Sequence, residues 1–496
     1  MISSPTVHDD VALPPEKTVV SGVERTVTNL VAVWVVLVPW LIGGRLWWVQ
    51  ALGVVAGTAA FIVAVRPSDN RHTLWRFPVF WLGVLFLGYI ACQMFNPWAS
   101  AVQRVSTKLG PINVWDVTTH PHVEWLPAGM SADFTQMSSA RMLMYWLGPW
   151  LLVCAWWAAV RRRRSGQRLA LIIFLNGIVI AVVAMIEHLH PPAKILGVYY
   201  DATFDPNMAP ELTTSAGFVN HSAAAAYLYL ALGAGFAVAA RLQKSAKTGE
   251  RDSGLTWVAL FGSLIILASF FTLGSRTGLV IGCTVFVLGF GILLLASFVG
   301  GGRSPGLWVG SVVLALAIGG LIAYELHGEN SATLERWKYL DDHPEDVDVR
   351  QVLRFESQRM LKEHFWLGWG AGSFRYTLPR YLYADNYFQS SKAYGGSYVW
   401  TDYAHCDWLQ LPLEYGVVGA SFALAMLLYW YGSALWLVRK LGAAGLVALA
   451  PTLGVLVHSL IDFPLFNAAV LTLFSVLLAS TIKTASLSAQ RRSKHS

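Results

Sequence analysis

The residues with the clearest chemical capacity lie at 404–416. They are Ala404-His405-Cys406-Asp407-Trp408-Leu409-Gln410, then Glu414-Tyr415-Gly416. An imidazole, with an ordinary pKa of about 6.5, is the side chain best suited to take a proton near neutrality, so His405 is the candidate base. A lone histidine also serves as a structural group, and residue type alone leaves both roles open. Upstream, Arg350 and Arg354 stand four apart and share one face of a helix. Guanidinium groups hold phosphate oxygens in paired hydrogen bonds. Behind them comes Gly368-Trp369-Gly370-Ala371-Gly372-Ser373-Phe374, where alternate glycines permit a tight turn and close backbone approach. This run follows a helix instead of opening one after a strand, which argues against a nucleotide loop and for a turn back toward the membrane.

Three further constellations complete the set. Ser275-Arg276-Thr277-Gly278 falls between two apolar blocks. An arginine at that depth is paired, functional, or snorkelling to the interface. His458 and Asp462 are four apart and can pair on one helical face or close a helix end. Asn220, in Gly217-Phe218-Val219-Asn220-His221, has the side chain of an N-cap. The sequence has no HxxxH, no CxxC and no paired acidic motif in an apolar block, so no metal and no cofactor are expected. Cys92, Cys154 and Cys283 sit in apolar runs and only Cys406 in a polar one, which implies no disulfide framework.

The elements that must position these groups are membrane helices. Only 13% of the 496 residues are charged, 55% are hydrophobic, and mean hydropathy is +0.49. A soluble domain carries roughly 25% charged residues. About twelve blocks are long enough to span a bilayer, at roughly 26–43, 47–65, 78–95, 142–160, 168–188, 221–240, 255–274, 277–299, 307–324, 412–438, 442–460 and 465–482. Many of the 22 tryptophans stand at block ends, where interfacial aromatics belong. The expected fold is therefore an all-α polytopic membrane protein. It has a tail at 1–25, nine spans within 26–324, a large loop unit at 325–411, three spans within 412–482, and a second tail at 483–496. The first block is read as a retained helix, not a cleaved signal.

The formal charge of +7 does not point to nucleic acid, because the basic residues cluster in short loops between blocks. Arg161 to Arg164 and Arg439-Lys440 are examples. By the positive-inside rule both termini are expected in the cytoplasm, and the segments near 96–141, 189–220 and 325–411 outside. In the last of these, Pro344, Glu345 and Asp346 read as a helix start. Val349, Leu353 and Met360 then lie near one stripe of a helix too charged to span, which is expected to lie on the membrane surface.

Taken in order, these motifs resemble one family. Gly-Phe-x-Asn220, Ser-Arg276-x-Gly, Arg350 ahead of His364-Phe-Trp-Leu-Gly-Trp-Gly-Ala-Gly-Ser-Phe, Ala-His405-x-x-x-Leu-Gln410-x-x-x-Glu414-Tyr-Gly and His458-Ser-Leu-Ile-Asp-Phe are together similar to the O-antigen ligase and polymerase superfamily. The resemblance covers residues 210–465 by motif. It implies a metal-independent glycosyltransferase of the bacterial inner membrane. Such an enzyme moves a glycan from an undecaprenyl-diphosphate carrier to a glycan or lipid acceptor on the periplasmic face. It implies that Arg276 and Arg350 hold the diphosphate and that His405 acts on the acceptor hydroxyl. Arg354, Asn220, Gly370, Gly372, Gln410, Glu414 and His458 fall in the same motifs as expected substrate contacts. The family usually has Asn after that histidine, where this chain has Cys406. A transporter of lipid-linked sugars and a scaffold without chemistry are the competing classes. The first would show internal repeats and ionisable residues near the midplane. The second would not need an ordered Arg, Arg and His set.

Overall fold

In a bilayer a backbone must satisfy its own polar groups, so long apolar runs become helices. A computed structural model describes residues 21–106, 112–190, 196, 216–247, 254–299, 349–382 and 401–493. Among them, eleven helices are long and apolar enough to cross a membrane, and the chain is mostly helical. The first eight of these are α1 (Gly22–Trp40), α2 (Trp47–Val65), α4 (Pro78–Phe95), α5 (Ser139–Ala159), α6 (Arg163–Leu189), α7 (His221–Lys247), α8 (Gly254–Thr272) and α9 (Arg276–Val299). A short α3 (Ser68–Trp75) links α2 to α4. The amphipathic α10 (Val349–Glu363) follows, and then the spans α11 (Asp407–Trp436), α12 (Val438–His458) and α13 (Ala468–Ser493). The expected block at 307–324 and the helix start at Pro344, Glu345 and Asp346 lie outside the described residues.

Helix α7 is the hub, buried on all sides against α6, α8, α9 and α12. Its small residues allow this. The Gly278 Cα of α9 approaches so closely that an added Cβ would stand 2.3 Å from Ala225 Cβ. Small residues at crossings are how helices gain van der Waals contact where lipid offers no hydrophobic drive.

The mostly helical chain also carries one small sheet. Residues 97–132 form a three-stranded sheet of order β2-β1-β3, from β1 (Pro97–Ser106), β2 (Ile112–Thr119) and β3 (Gly129–Ala132). β1 pairs antiparallel with β2 and parallel with β3. On β2, Trp115 and Val117 are half-buried while Asp116 and Thr118 are exposed, the alternation of a sheet with one covered face.

The sheet, α10 and the 459–467 turn all gather at one end of the bundle. The opposite end carries Arg161, bonded to Asn70 and Thr73, and buried Glu24, which accepts from Arg162 N and Ser165 Oγ.

Candidate functional site

The loop-bearing end is built around a break in α11. Pro412 lacks a donor N–H, and Gly416 has φ 62°, in the left-handed region that favours glycine. The interrupted helix leaves peptide groups for another segment, and the glycine run supplies it. Trp369 N donates to Leu413 O, Gly370 N to Glu414 O, and Val417 N to Phe365 O, each at 2.9 Å. Nothing larger than hydrogen fits: a Cβ on Gly370 would stand 2.4 Å from Gly129 Cα of β3. The glycine run is thus a turn clipped between α11 and the sheet.

Side chains lock the clip. Glu414 is buried and accepts from Gly372 N at 2.9 Å and from Gln410 Nε2 at 3.1 Å. Gln410 Oε1 in turn accepts from Ala404 N at 2.9 Å. Gln93 of α4 closes the ring, donating to Glu414 O and accepting from Ala371 N. Gly370, Gly372, Gln410 and Glu414 therefore form one backbone-holding network. It ends on Ala404, the residue next to His405.

His405 has φ 52°, unusual for a residue with a side chain. Its Nδ1 lies 3.2 Å from Asp462 Oδ1 in the turn between α12 and α13. An ionised carboxylate only accepts, so Nδ1 carries the hydrogen and Nε2 is the basic atom. The ring stands edge-on to Phe463, centroids 4.7 Å apart. The other oxygen of Asp462 lies 3.7 Å from Arg350 Nη2. Four residues on, Arg354 Nη2 donates to Leu460 O at 3.3 Å, so both arginines of the expected α10 face dock on this turn. The buried Leu353 and Met360 hold that helix down against Trp369, Phe374 and Leu413. Burial pushes the Asp462 carboxyl up. The His405 hydrogen bond and the Arg350 charge outweigh it and hold the group well below the usual carboxylate range.

Asp407, the first residue of α11, fixes the turn from below. Its Oδ2 accepts from Ser459 Oγ at 2.7 Å and Leu465 N at 2.9 Å. Its other oxygen is buried without a hydrogen bond, and the residue lines an apolar cavity. Phe86, Trp146, Trp150, Met426 and Phe474 are among the residues lining it, from α4, α5, α11 and α13.

The side-chain pairing that the four-residue spacing of His458 and Asp462 allows does not form; His458 closes the helix end, its carbonyl accepting from Ile461 N and Asp462 N. His458 is fully buried, its Nδ1 lies 3.3 Å from the Tyr229 hydroxyl, and Asp462 turns to His405 instead. Asn220 is the N-cap of α7, accepting from Ser222 N and Ala223 N. Ser222 Oγ lies 3.3 Å from Ser275 Oγ, which accepts from Gly278 N and so starts α9 at Arg276. Arg276 reaches the same end of the bundle, because Ile281, on the next turns of α9, packs against Gly454, four residues before His458. Burial raises the Cys406 thiol, which stays protonated near neutrality.

One group had no sequence signal. Arg45, Arg141 and Arg375 converge on Asp402 and Tyr403 from four segments of the chain. Among the described residues, no three His, Cys, Asp or Glu side chains gather as a metal set. No family model matches this chain, and no curated protein matches it in sequence.

Proposed function

We propose that the chain is a glycosyltransferase that moves a glycan from a polyprenyl-diphosphate carrier to an acceptor hydroxyl, as its resemblance to O-antigen ligases and polymerases implies. The carrying observation is that one carboxylate, Asp462, holds both His405 and Arg350. The histidine and the loop arginine, chosen from motifs far apart in sequence, meet at one point.

In this reading the acceptor oxygen attacks the anomeric carbon as the bond to the diphosphate breaks. The leaving oxygen takes the electron pair, and its growing charge is met by Arg350 and Arg276. The acceptor proton passes to His405 Nε2, the atom opposite the Asp462 bond. A single displacement inverts the anomeric centre. The apolar cavity beside Asp407 suits a polyprenyl tail. Ligase and polymerase differ only in the acceptor. A transporter would hold its ionisable groups near the midplane. Here His405 and Asp462 belong to connecting segments, and Arg350 to a helix too polar to span, which favours an enzyme.

The test is transfer by the purified full-length protein in detergent. It is given a lipid-diphosphate oligosaccharide and candidate acceptors, with and without a chelator. Product in both conditions is expected. Bound donor with no product from glycan or lipid acceptors would sink the proposal.

A further inference from the structure

On the far side of Phe463 from His405 lies the arginine group that sequence patterns did not reveal. Asp402 joins two of its members: Oδ1 is 3.2 Å from Arg375 Nη2, and Oδ2 is 3.8 Å from Arg45 Nη2. The second distance is an ion pair without a hydrogen bond. Arg141 is fixed beside them. Its Nε donates to Gln50 Oε1 at 3.2 Å, its Nη1 to Thr135 O at 2.7 Å, and its Nη2 to Arg45 O. The Arg375 guanidinium carbon lies over Trp115, 4.9 Å from the ring centre, and 5.7 Å from that of Tyr376. A guanidinium held by an aromatic face loses little freedom when an oxyanion arrives. The group is reachable, since the Arg45 and Asp402 side chains are 33% and 22% exposed.

The same group is continuous with the candidate site. Tyr403 stacks on Phe463 at 4.3 Å between centroids, and Phe463 in turn meets His405. Burial, and then Asp402, pushes the Tyr403 phenol up to about 12 against the pull of the three arginines, so its hydroxyl remains a donor. Guanidinium forks, a phenol donor and aromatic faces gathered in one cluster are the chemistry that binds an acidic sugar.

We infer that Arg45, Arg141, Arg375 and Tyr403 form a second anion subsite that recognises a carboxylate or phosphate on a sugar of the transferred or accepting glycan. This subsite is separate from the arginines at Asp462. The inference rests on the glycosyl-transfer reading for its biological meaning. Arg141 builds the wall, and Arg45 and Arg375 meet the anion. Asp402 sets their spacing and competes with the ligand for them.

The experiment measures binding to the purified full-length chain in detergent. The probes are a uronic-acid-containing tetrasaccharide, its carboxyl-reduced counterpart and farnesyl diphosphate. The acidic tetrasaccharide should bind at least about tenfold tighter than the reduced one, the worth of one charge-assisted contact. Arg45→Gln and Arg375→Gln should each erase most of that difference and leave farnesyl diphosphate affinity unchanged. Asp402→Asn should widen it, a gain that a merely structural role would not produce. Equal binding of the two tetrasaccharides to the wild type would overturn the inference. So would an undiminished difference in both arginine variants, a loss of farnesyl diphosphate affinity in them, or no gain in Asp402→Asn. Acid-selective binding without transfer removes the transferase reading alone, and transfer without acid selectivity removes only the subsite.

Discussion

His405 Nδ1 and Asp462 Oδ1 stand 3.2 Å apart across a gap of 57 residues in sequence. The bond fixes the imidazole's tautomer and orientation and, in the proposed transferase, leaves Nε2 for the acceptor hydroxyl. Asp462→Asn removes the ionised acceptor. Turnover should fall about 10²-fold or more, the scale of general base catalysis. His405→Ala should abolish transfer. In both variants donor affinity should hold if, as proposed, arginines carry the diphosphate. Donor binding measured beside turnover decides it. Unchanged turnover in His405→Ala removes it as the base, and a parallel collapse of affinity makes it a donor ligand.

Asp462 also gives a pH signature. Its carboxyl titrates lower in the folded chain than in the unfolded one, where a value of about 3.9 is usual. Its stabilising contribution is therefore full above that unfolded value. It is lost as pH falls toward the folded one. The gap in melting temperature between wild type and Asp462→Asn should be constant from pH 7 to pH 5 and shrink below about pH 4. A gap that widens with acid would contradict the assignment.

Arg350→Lys and Arg276→Lys keep charge but lose the planar fork. Each should lower turnover by about tenfold or more, the scale of one contact realised in the transition state. Steady-state kinetics with a fixed acceptor would show it. Near-normal rates in both variants would separate these residues from the chemistry.

The glycine clip makes a stability prediction. A Cβ at Gly370, where φ is 100°, would meet Gly129 Cα at 2.4 Å, while Gly442, with φ 62°, has open space around it. Gly442, at ψ −178°, has a backbone that essentially only glycine adopts, so Gly442→Ala should cost about 1–3 kcal/mol of strain. Gly370→Ala adds overpacking and should cost a further 1–3 kcal/mol or so. Thermal melting in detergent, run on both, should rank them in that order. Equal melting points would mean that the clip yields freely.

The two ends of the bundle should face opposite compartments. With the four native cysteines replaced, Glu124→Cys should react with an impermeant maleimide added outside intact cells, and Arg164→Cys only after lysis. Both side chains are exposed at their respective ends. Labelling of both, or of neither, before lysis would end the expected topology.

The helical frame was legible because an apolar run long enough to cross a bilayer has few other options. The expected blocks at 47–65 and 78–95 coincide with α2 and α4. The N-cap at Asn220 and the shared face of Arg350 and Arg354 were equally local, set by spacing along one helix. What escaped was non-local. The sheet pairs strands through alternation only a few residues long, and Pro97, Pro111, Pro121 and Pro127 punctuate it. The Arg45, Arg141, Arg375 and Asp402 group comes from segments with no common periodicity. The spacing of Asp462 offers only the nearby His458 as a local partner. The turn instead aims it at a residue from another part of the chain.

The break in α11 has a consequence for biogenesis. Residues 365–370 hydrogen-bond to backbone at 413–418, and the Arg350 side chain pairs with Asp462. A chain made from its N-terminus offers the glycine run and α10 before any of those partners has left the ribosome. The loop must therefore wait, its peptide groups solvated, until α11 is inserted. His405 cannot gain its carboxylate until α12 has also crossed and turned. Assembly of the site thus reports completion of the last turn between spans, and a ribosome-stalled or clipped product ending before residue 462 would lack the carboxylate that joins His405 to Arg350, however well its first helices had packed.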